Sequence, residues 1–509
     1  MQPSTAPHLP VLWSSLFERV SDPNLSLQGR IRQMLVSAIL SGHLPPGTPV
    51  PSSRLLSDRL GIARNTVVFA YQQLVSEGYL VSRERSGHFV ADDVLAGRLA
   101  PSGKDEPGAS PPAGPKPKAD WHRRMSFHPS TQRNIVKPAD WQTLPFPFVY
   151  AQFDATQFPT AEWRECCTKA LSVLDIRSWA PDLIIHDDPA LIEEIRTQVL
   201  PRRGVWADKE EIVITVGAQH ALYLLADLLI QKHTVVGIED PGYPDARNTF
   251  IHRTERLLPL AVDEQGLRIT PQLRDCDYIF VTPSHQCPTT VTLPLERREA
   301  LLDIAGEADS VIIEDDYETE NRYDDEPTRA LKSLDKNGRV IYVGSLSKSF
   351  APGLRIGFIV APAELTHELR ALRRLMLRHP SAYIQRAFAL FISLGHHHAL
   401  LRRLSLIYRE RAQVLTQALG EFLPELHHLP LTGGSWCWVE CPPQVDTQKL
   451  ADHALAEGVF IEPGHVFFHN VAQVRNNYMR LGFSALDSRR IPPGVERLAQ
   501  VYRGLYGKG

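Results

Sequence analysis

Apolar residues near the start of the chain recur three and four positions apart. In residues 27–41, LQGRIRQMLVSAILS, this spacing predicts an amphipathic helix. Gly42 and the pair Pro45-Pro46 then end it, because glycine and proline interrupt helical backbone. The pattern therefore predicts one well-bounded helix ahead of a proline-containing turn.

Two shorter helical patterns follow this turn. The stretch Pro51-Ser52-Ser53 offers an N-cap for a short helix that runs to Leu60. A second helix is predicted from near Arg64-Asn65-Thr66 to Gly78, where glycine suits a helix C-terminus. Gly61 lies between them. Two short helices joined by a glycine turn are typical of a helix-turn-helix.

A hairpin completes this region. Residues 79–81 and 88–90 are strand-like, and SRERSG separates them, so we predict a β-hairpin with Gly87 in its turn region. A helix-turn-helix followed by such a hairpin is a winged helix-turn-helix. We place it in a domain of residues 1–98, with its core at 27–90.

Six short apolar runs in the rest of the chain end in small or polar residues, which predicts strands of a sheet covered on both faces. The runs are residues 211–215, 235–238, 278–281, 311–313, 340–343 and 357–360. Helical patterns separate several of them, which indicates an α/β domain. Ligand-binding groups in such sheets gather beyond the carboxyl ends of the strands.

Residues 99–118 separate these two regions. Eleven of the 20 are Pro, Gly or Ser, and none is aromatic or β-branched, so the segment has too little apolar surface to form a core. We predict a partly extended linker. Aromatic residues return between Trp121 and Tyr150, and order is expected again by about residue 150, in a domain of residues 119–509.

Composition narrows the class of protein. The 509 residues are 43% hydrophobic and 22% charged, which is typical of a soluble globular protein and not of a disordered one. We find no apolar run of about 18 residues and no secretory signal, so neither a membrane span nor export is expected. The six cysteines have neither metal-ligand nor disulfide spacing, so we expect a cytoplasmic protein without a metal site.

The net charge of −3 hides a contrast between the two regions. Residues 26–90 contain seven basic and three acidic residues, so the rest of the chain is acidic by difference. This contrast indicates an anionic partner for the small module alone, although a solvated surface with a chance excess of arginine is the alternative. Double-stranded DNA fits, because side chains at two helix starts and on the hairpin can contact phosphates and base edges. The candidate DNA-binding residues are Ser52, Ser53, Arg54, Arg64, Asn65, Thr66, Arg83 and Arg85.

The strand ends of the large region carry side chains that suit pyridoxal 5′-phosphate. Lys348 lies beside hydroxyls and a cation, which favours Schiff-base chemistry. Asp315 can pair with a pyridinium nitrogen, Tyr317 can hydrogen-bond a ring oxygen, and Tyr243 can stack on the ring. Two groups of residues can hold the phosphate: Gly217, Ala218 and Gln219 at a helix start, and Ser345, Ser347 and Arg355. Each of these residues or motifs, taken alone, has a simpler structural explanation. Their occurrence together, in order along the strand ends, favours a cofactor site.

The small module strongly resembles the winged helix-turn-helix of the GntR family. The resemblance runs through ILSGHLPPGTPVPSSRLLSDRLGIARNTVVFAYQQLVSEGYLVSRERSGHFV and covers nearly all of residues 27–90. One departure is Ala63, where that family often has a serine that caps the recognition helix.

The large region, from about residue 182 to 484, resembles the fold-type I aminotransferase-like domain. More closely, VITVGAQHAL, EDPGYPDARNTF, VTPSHQCPT, VIIEDDYETENRY, GSLSKSFAPGLRIGFIV and YMRLGFS are similar to MocR/GabR regulators, which join a GntR-type reader to such a domain through a long linker. The resemblance implies an N-terminal winged helix-turn-helix, a large fold-type I α/β domain of the kind found in transferases dependent on pyridoxal phosphate, and a smaller C-terminal α+β subdomain.

The same resemblance implies roles for single residues. Lys348 would carry pyridoxal phosphate as an internal aldimine, with Asp315 at the pyridine nitrogen. Arg480 would grip the acid group of an effector, and a surface position on a helix is the alternative for it. The resemblance also implies a homodimer that binds two DNA half-sites.

Several positions depart from the family pattern. Where the family usually has Tyr-Gly-Asp-Pro and then a glycine, this chain has HDDPAL at residues 186–191, so the tyrosine and both glycines are missing. That tyrosine commonly reaches the phosphate of the neighbouring subunit. Thr290 replaces a common glycine and Cys287 a common aromatic residue. These departures bear on cofactor affinity and the effector pocket rather than on the fold.

Three functions are consistent with the sequence. The favoured one is a transcriptional regulator in which a small amine or amino acid forms an external aldimine with pyridoxal phosphate on Lys348 and thereby changes DNA binding. The others are a working aminotransferase with a secondary DNA-binding module, and a DNA-binding protein whose body has lost the cofactor. The aminotransferase-like domain is expected to act as a sensor, and the sequence leaves residual transaminase activity open.

Overall fold

The computed structural model of the protein describes residues 13–20, 25–84, 86–94, 119–150, 152–318, 323, 329–348, 350–470 and 476–507. The chain divides into two compact units, residues 1–124 and 125–509. We call them the reader unit and the body. The predicted linker 99–118 and the predicted DNA-binding residue Arg85 lie outside the described residues.

The reader unit has four helices and a two-stranded antiparallel sheet among its described residues before the linker. They are α1 (Trp13–Glu18), α2 (Leu27–Leu40), α3 (Ser53–Leu60), α4 (Arg64–Ser76), β1 (Leu80–Arg83) and β2 (Gly87–Val90). The three predicted helices and the hairpin are confirmed, while α1 was not predicted. Ile31, Leu35, Leu56 and Leu74 are fully buried in one core, which fixes the helices against one another.

Local signals explain where these helices begin and end. The Ser52 hydroxyl accepts the backbone N–H of Leu55 at 3.2 Å and so caps α3. Gly61, with a φ of +65°, supplies the left-handed turn that ends it. Ala63 precedes α4 without any side-chain cap.

The body is built on an eight-stranded sheet. The described strands of the whole body, in chain order, are β3 (Phe146–Pro147), β4 (Ile212–Thr215), β5 (Val235–Asp240), β6 (Arg256–Asp263), β7 (Gly266–Leu267), β8 (Tyr278–Val281), β9 (Val311–Asp316), β10 (Val340–Ser345), β11 (Gly357–Val360), β12 (His427–His428), β13 (Trp436–Glu440), β14 (Val459–Phe460), β15 (Glu462–Pro463) and β16 (Tyr478–Gly482). The large sheet has the order β4-β11-β10-β9-β8-β5-β6-β7, and a four-stranded sheet has the order β12-β13-β16-β15.

Helices cover these sheets, and one short helix, α5 (Trp121–Arg124), precedes the body. Those of the body are α6 (Thr160–Ala170), α7 (Val173–Trp179), α8 (Pro189–Glu194), α9 (Gly217–Leu229), α10 (Pro244–Ile251), α11 (Leu295–Glu307), α12 (Ala363–Leu377), α13 (Ala382–Ser393), α14 (His396–Phe422), α15 (Thr447–Ala456) and α16 (Ile491–Tyr506). Buried apolar residues fill both faces of the large sheet. The small sheet with α14–α16 forms the predicted C-terminal α+β part. No helix among the described residues is long and apolar enough to cross a membrane.

All six predicted strands are present, with two differences from the prediction. β6 and the short edge strand β7 were not predicted; Pro259 interrupts the strand-like pattern of β6. β11 runs antiparallel to both neighbours, so its carboxyl end lies at the edge opposite to that of β10. The expectation that ligand-binding groups gather beyond the carboxyl ends of the strands is therefore wrong for β11, whose amino end lies at the edge where β10 ends.

Candidate functional site

Most of the predicted cofactor residues surround one cavity of about 570 Å³ in the body. It lies at the sheet edge where β9 and β10 end and β11 begins. The described residues lining it are Ile135, Lys137, Tyr150, Ala218, Gln219, Tyr243, Asp245, Cys287, Asp315, Tyr317, Ser345, Ser347, Lys348, Pro352 and Arg355. The structure therefore brings together residues from segments that are far apart in the sequence.

Lys348 lies three residues after the end of β10. Its Nζ is 3.9 Å from the ring centre of Tyr317 and 4.7 Å from that of Tyr150. Burial lowers the pKa of Lys348, while the nearby carboxylates of Glu318 and Asp315 act in the opposite direction. A lowered pKa makes the neutral amine more available, and the neutral amine is the form that attacks an aldehyde.

Alternation along β9 decides which of three consecutive acids faces the cavity. Asp315 lines it, while the acids on either side are used in the fold. Glu314 accepts two backbone N–H groups at 2.7 and 2.8 Å, and Asp316 pairs with Arg203 at 2.8 Å. Asp315 is therefore the acid of this run that is left for a ligand.

Asp315 provides a test of whether the site fits pyridoxal phosphate. Its Oδ1 is buried and has no hydrogen-bond partner among the described residues. Burial raises the pKa of Asp315 to about 7, and the charge of Lys348 only partly opposes this. A buried carboxylate oxygen that lacks a partner is complementary to a protonated pyridine nitrogen, so this residue fits the cofactor.

Groups suited to a phosphate gather where α9 begins. Gly217 has a φ of +72°, and a Cβ there would lie 2.9 Å from Arg355 Nη2, so glycine allows the guanidinium to approach the helix N-terminus. Arg355 Nη2 donates to the carbonyl of Val216 at 3.2 Å. Ala218 and Gln219 follow in the first turn, where free N–H groups and the helix dipole favour an anion.

The two predicted serines differ in their hydrogen bonding. Both line the cavity. The hydroxyl of Ser347 bonds to the backbone of Ile356, lying 3.1 Å from its nitrogen and 3.2 Å from its oxygen. Ser347 therefore ties the Lys348 segment to the start of β11, whereas no hydrogen bond of the Ser345 hydroxyl is seen among the described residues.

The two predicted ring contacts are tyrosines that line the cavity. The Tyr243 hydroxyl lies 3.1 Å from both Gln219 Oε1 and Asp245 Oδ2. The Tyr317 hydroxyl donates to the carbonyl of His285 at 2.9 Å. Tyr317 must exchange this bond for one to a ring oxygen if it is to take its predicted role.

Arg480 lies in β16 and is fully buried, so the alternative of a surface arginine on a helix is wrong. Its Nε donates to Glu462 at 2.7 Å, and Nη1 and Nη2 have no hydrogen-bond partner among the described residues. Burial acts against its charge, but Glu462 raises the pKa of Arg480, which keeps it cationic. Arg480 is not among the described residues that line the cavity; the ring centre of Tyr150, which does line it, is 3.9 Å from Arg480 Cζ.

The positions that depart from the family pattern differ in their surroundings. His186, in place of the tyrosine, is exposed. Asp187, in place of a glycine, forms a buried ion pair with Arg373 at 2.7 Å. Asp188, which keeps the aspartate of the family pattern, caps α8. Thr290 is buried with a φ of +70°, a conformation that glycine adopts at much lower cost.

Cys287 takes the other departing position and lines the cavity. Burial raises its pKa to about 12, so it is a neutral thiol at physiological pH.

The predicted DNA-binding residues that are described lie at the starts of α3 and α4 and on the hairpin. Arg54, Arg64 and Asn65 are exposed, and Arg64 Nε lies 3.4 Å from the hydroxyl of Ser53, so the two helix starts adjoin. Arg83 is exposed on β1, where it stacks over Phe89. The hydroxyl of Ser52 already accepts a hydrogen bond as the N-cap of α3, and Thr66 is partly buried.

Sequence reasoning missed several residues of the cavity, above all Lys137, Tyr150 and Asp245. Lys137 and Tyr150 lie before the predicted sheet and belong to no motif. Tyr150 ends the apolar run FPFVY, which by itself indicates only a return of order. Asp245 is inside the quoted stretch EDPGYPDARNTF, where its position two residues after Tyr243 was the available signal.

Comparisons with known proteins agree with this geometry. Residues 27–90 match the family described as "Bacterial regulatory proteins, gntR family", and residues 154–498 match "Aminotransferase class I and II". The HTH-type transcriptional regulator TauR of Rhodobacter capsulatus is 41% identical over 94% of this chain and 97% of its own length. The probable rhizopine catabolism regulatory protein MocR of Rhizobium meliloti is 30% identical over 96% of each chain.

Solved structures share the fold of the body. Pyrococcus horikoshii kynurenine aminotransferase, in complex with PMP, has a TM-score of 0.69 and 25% identity, covering 77% of this chain and 99% of its own. LysN of Thermus thermophilus, complexed with N-(5′-phosphopyridoxyl)-L-leucine, has a TM-score of 0.67 and 26% identity, covering 76% and 99%. The shared fold and these complexes imply dependence on pyridoxal phosphate. The chain therefore belongs to the MocR-type transcriptional regulators, in which a GntR helix-turn-helix is joined to an aminotransferase class I and II domain.

Proposed function

We propose that the protein senses a small amine or amino acid through pyridoxal phosphate held on Lys348 and that this event changes how its reader units bind promoter DNA. The observation that carries the proposal is the unpartnered, buried Oδ1 of Asp315 in the same cavity as Lys348. A carboxylate in that state is costly unless a cationic ligand completes it. Such a regulator acts where promoter DNA is, so a cytoplasmic location goes with the proposal.

In this proposal each end of the cofactor has its own residues. Arg355, Ser345 and the first N–H groups of α9 hold the phosphate, Asp315 holds the pyridine nitrogen, and Tyr243 packs against the ring. When bound, pyridoxal phosphate supplies an aldehyde carbon that reacts with primary amines. Lys348 would supply the internal amine that an effector displaces, and burial lowers the pKa of this amine, which makes its neutral form more available.

Reading of DNA is assigned to the exposed residues of α3, α4 and the hairpin. Arg64 and Asn65 stand at the N-terminal end of α4, which is the part of a recognition helix that enters the major groove. Arg54 and Arg83 are placed to contact phosphates. Two such readers are required for two half-sites, so we include a homodimer in the proposal.

Exposed apolar side chains on two helices of the body support a homodimer, in which a second copy of the chain would cover them. Val173 and Leu174 of α7 are 68% and 78% exposed, and Leu375 of α12 is 83% exposed. Large apolar side chains at such exposure favour protein contacts. We expect Leu174→Asp with Leu375→Asp to halve the mass found by light scattering; an unchanged mass would place the interface elsewhere.

The central test uses absorbance and DNA binding together. Purified protein loaded with pyridoxal phosphate is expected to absorb visible light, and borohydride is expected to fix the cofactor mass on Lys348. Lys348→Ala should lose both signals and retain DNA binding but not its response to amines. Lys336→Ala, at an exposed lysine, is the matched control.

Two outcomes would contradict the proposal. Cofactor signals that survive in Lys348→Ala would remove the assigned lysine. Rapid, complete turnover of amino donor and keto acid by the wild type would favour the alternative of a working aminotransferase. The similarity of the body to solved aminotransferase structures is consistent with that alternative.

A further inference from the structure

Three cations surround the ring of Tyr150. The ring centre is 3.9 Å from Arg480 Cζ, 4.7 Å from Lys348 Nζ and 5.7 Å from Lys137 Nζ. The ring itself is buried. The negative faces of an aromatic ring attract cations, but one ring does not neutralise three of them. Three cations therefore lie around one ring beside the amine that is proposed to carry the cofactor, and the carboxylates of Glu318, Asp315 and Glu462 act on the same groups.

Two of these cations have hydrogen-bond donors to spare. Arg480 uses Nε for Glu462 and leaves both terminal nitrogens without a partner among the described residues. Lys137 donates to the backbone carbonyl of Tyr150 at 2.6 Å, and no described carboxylate forms an ion pair with it. Glu462 and Asp245 are the acids whose charges act on Lys137. Glu462 pairs with Arg480 through one oxygen, while its Oε1 has no partner among the described residues, and Asp245 lies 3.1 Å from the Tyr243 hydroxyl.

Lys137 differs from Arg480 in that it lines the cavity. A ligand in the cavity can therefore contact Lys137 directly. Arg480 does not line the cavity and packs against the ring of Tyr150, which does line it. Burial lowers the pKa of Lys137 to about 8, with Glu462 as the main opposing charge, so most of it is charged at pH 7.

The spacing of these groups limits the size of the ligand. Because Lys348 Nζ and Lys137 Nζ lie 4.7 and 5.7 Å from the same ring centre, the two nitrogens are at most about 10.4 Å apart. An effector amine that takes the place of the Lys348 amine would thus lie within about 10.4 Å of the Lys137 ammonium group, and we expect a chain of a few carbon atoms to carry its acid group toward Lys137.

We propose that Lys137 is a specificity-determining residue that binds the acid group of the effector directly, with Arg480 adding positive charge behind the Tyr150 ring. The site would then select short amino acids with a carboxylate or sulfonate over amines that have no acid group. This inference rests on the proposed function, because it requires an amine to react in the cavity.

The test compares matched amines on protein loaded with pyridoxal phosphate. The probes are 3-aminopropanoate, 2-aminoethanesulfonate and propylamine, and affinities are taken from the change in visible absorbance. We expect at least one acid-bearing probe to bind the wild type more than 10-fold tighter than propylamine. In Lys137→Met its affinity should fall about 10- to 100-fold while that of propylamine is unchanged; Lys137→Arg should restore much of the loss, and Lys336→Met should change nothing.

Folding and cofactor loading are checked separately, by thermal unfolding and by the absorbance of each variant before any amine is added. If Lys137→Met does not load, Lys137→Gln is used. Calorimetry with propanoate and ethanesulfonate, which cannot react with an aldehyde, gives a second readout and should show binding that Lys137→Met loses.

The possible results separate the two proposals. Equal loss of affinity for all three probes, or no loss for the acids, overturns the role of Lys137 and leaves the sensing function intact. A loaded wild type that responds to hydroxylamine but to no probe, and that binds neither acid by calorimetry, also overturns the role of Lys137. A wild type that never loads the cofactor overturns the sensing function itself.

Discussion

The reader unit and the body present their functional groups in opposite ways. In the reader unit, Arg54 and Arg64 are exposed, and caps and turns within a few residues of them fix their positions. In the body, Asp315 and Arg480 are buried and have atoms without partners among the described residues, and residues distant in sequence surround them. Exposed cations suit a long polyanion, whereas buried unpaired groups suit a small ligand that is itself desolvated on binding.

This contrast predicts that function and stability conflict in the body and not in the reader unit. A buried polar atom kept without a partner costs stability until its ligand arrives. An exposed arginine at a helix start has no such cost. Replacing such a functional group should therefore stabilise the cofactor-free body but leave the stability of the reader unit unchanged.

The largest effect is expected for Asp315→Asn. Losing the charge that faces the pyridine nitrogen should weaken binding of pyridoxal phosphate about 100-fold, or roughly 2–3 kcal/mol, in an absorbance titration. The same variant should stabilise the cofactor-free protein at pH 8, by about 2–4 kcal/mol in denaturant unfolding, because the ionised carboxylate no longer has to be buried.

The pH dependence provides the control for this prediction. The folded pKa of Asp315, about 7, is above its ordinary value of 3.8, so the stability from its protonated form is fully present below pH 3.8 and is lost as the pH rises through 7. Cofactor-free wild type should thus lose stability between pH 5 and 8 relative to Asp315→Asn. Parallel pH curves would show that Asp315 is not the group responsible.

Arg64→Ala tests the reader unit. Removing this exposed guanidinium should weaken promoter binding about 10-fold at fixed salt, in line with roughly 1–3 kcal/mol for a base contact, while cofactor binding and the unfolding midpoint stay the same. Gel-shift titration measures the first, with Arg489→Ala, at an exposed arginine of the body, as control. Equal affinity of variant and wild type would exclude α4 as the recognition helix.

Thr290→Gly should produce a smaller effect in the body. The backbone at residue 290 has a φ of +70°, so glycine relieves strain and should stabilise the cofactor-free body by about 1 kcal/mol. Thr289→Gly, at a neighbouring position without positive φ, should instead destabilise it. A loss of stability in both variants would mean that side-chain packing at residue 290 outweighs the backbone strain.

The smallest effect is expected for Ala63→Ser. A hydroxyl at the uncapped start of α4 should stabilise the reader unit by about 0.5 kcal/mol, measured by thermal unfolding. Ala63→Val, which offers no acceptor, should give no gain. A gain of the same size from valine would show that the missing cap is not what limits this helix.

The elements of the reader unit were predictable because their signals are local. Ser52, Gly61 and Gly78 each act on a helix end that lies within a few residues of them. The strands of the large sheet were also predictable, since their apolar runs are short and bounded. β6 was not, because Pro259 lies within it, and the direction of β11 was not, because an apolar run has no direction.

The cofactor residues that follow the strands of the large sheet were predictable, because reactive and polar side chains occur there at the strand ends. The residues that line the rest of the cavity were not predictable. Lys137 and Tyr150 reach Lys348 from about 200 residues away in sequence, and no local pattern encodes that approach. The burial of Arg480 likewise follows from its place in β16, which a motif of seven residues does not reveal.

The reversal of β11 has a consequence for what the chain tolerates. Because β11 is antiparallel to β10, it begins at the same sheet edge where β10 ends. The turn between them therefore has Lys348 near one end and Arg355 near the other. Hydrogen bonds between Ser347 and Ile356 join the two ends of this turn. In the proposed arrangement Lys348 and Arg355 hold opposite ends of one cofactor molecule, so the number of residues between them matters. We expect one residue inserted between positions 348 and 355 to leave the strands and the core in place and to weaken cofactor binding.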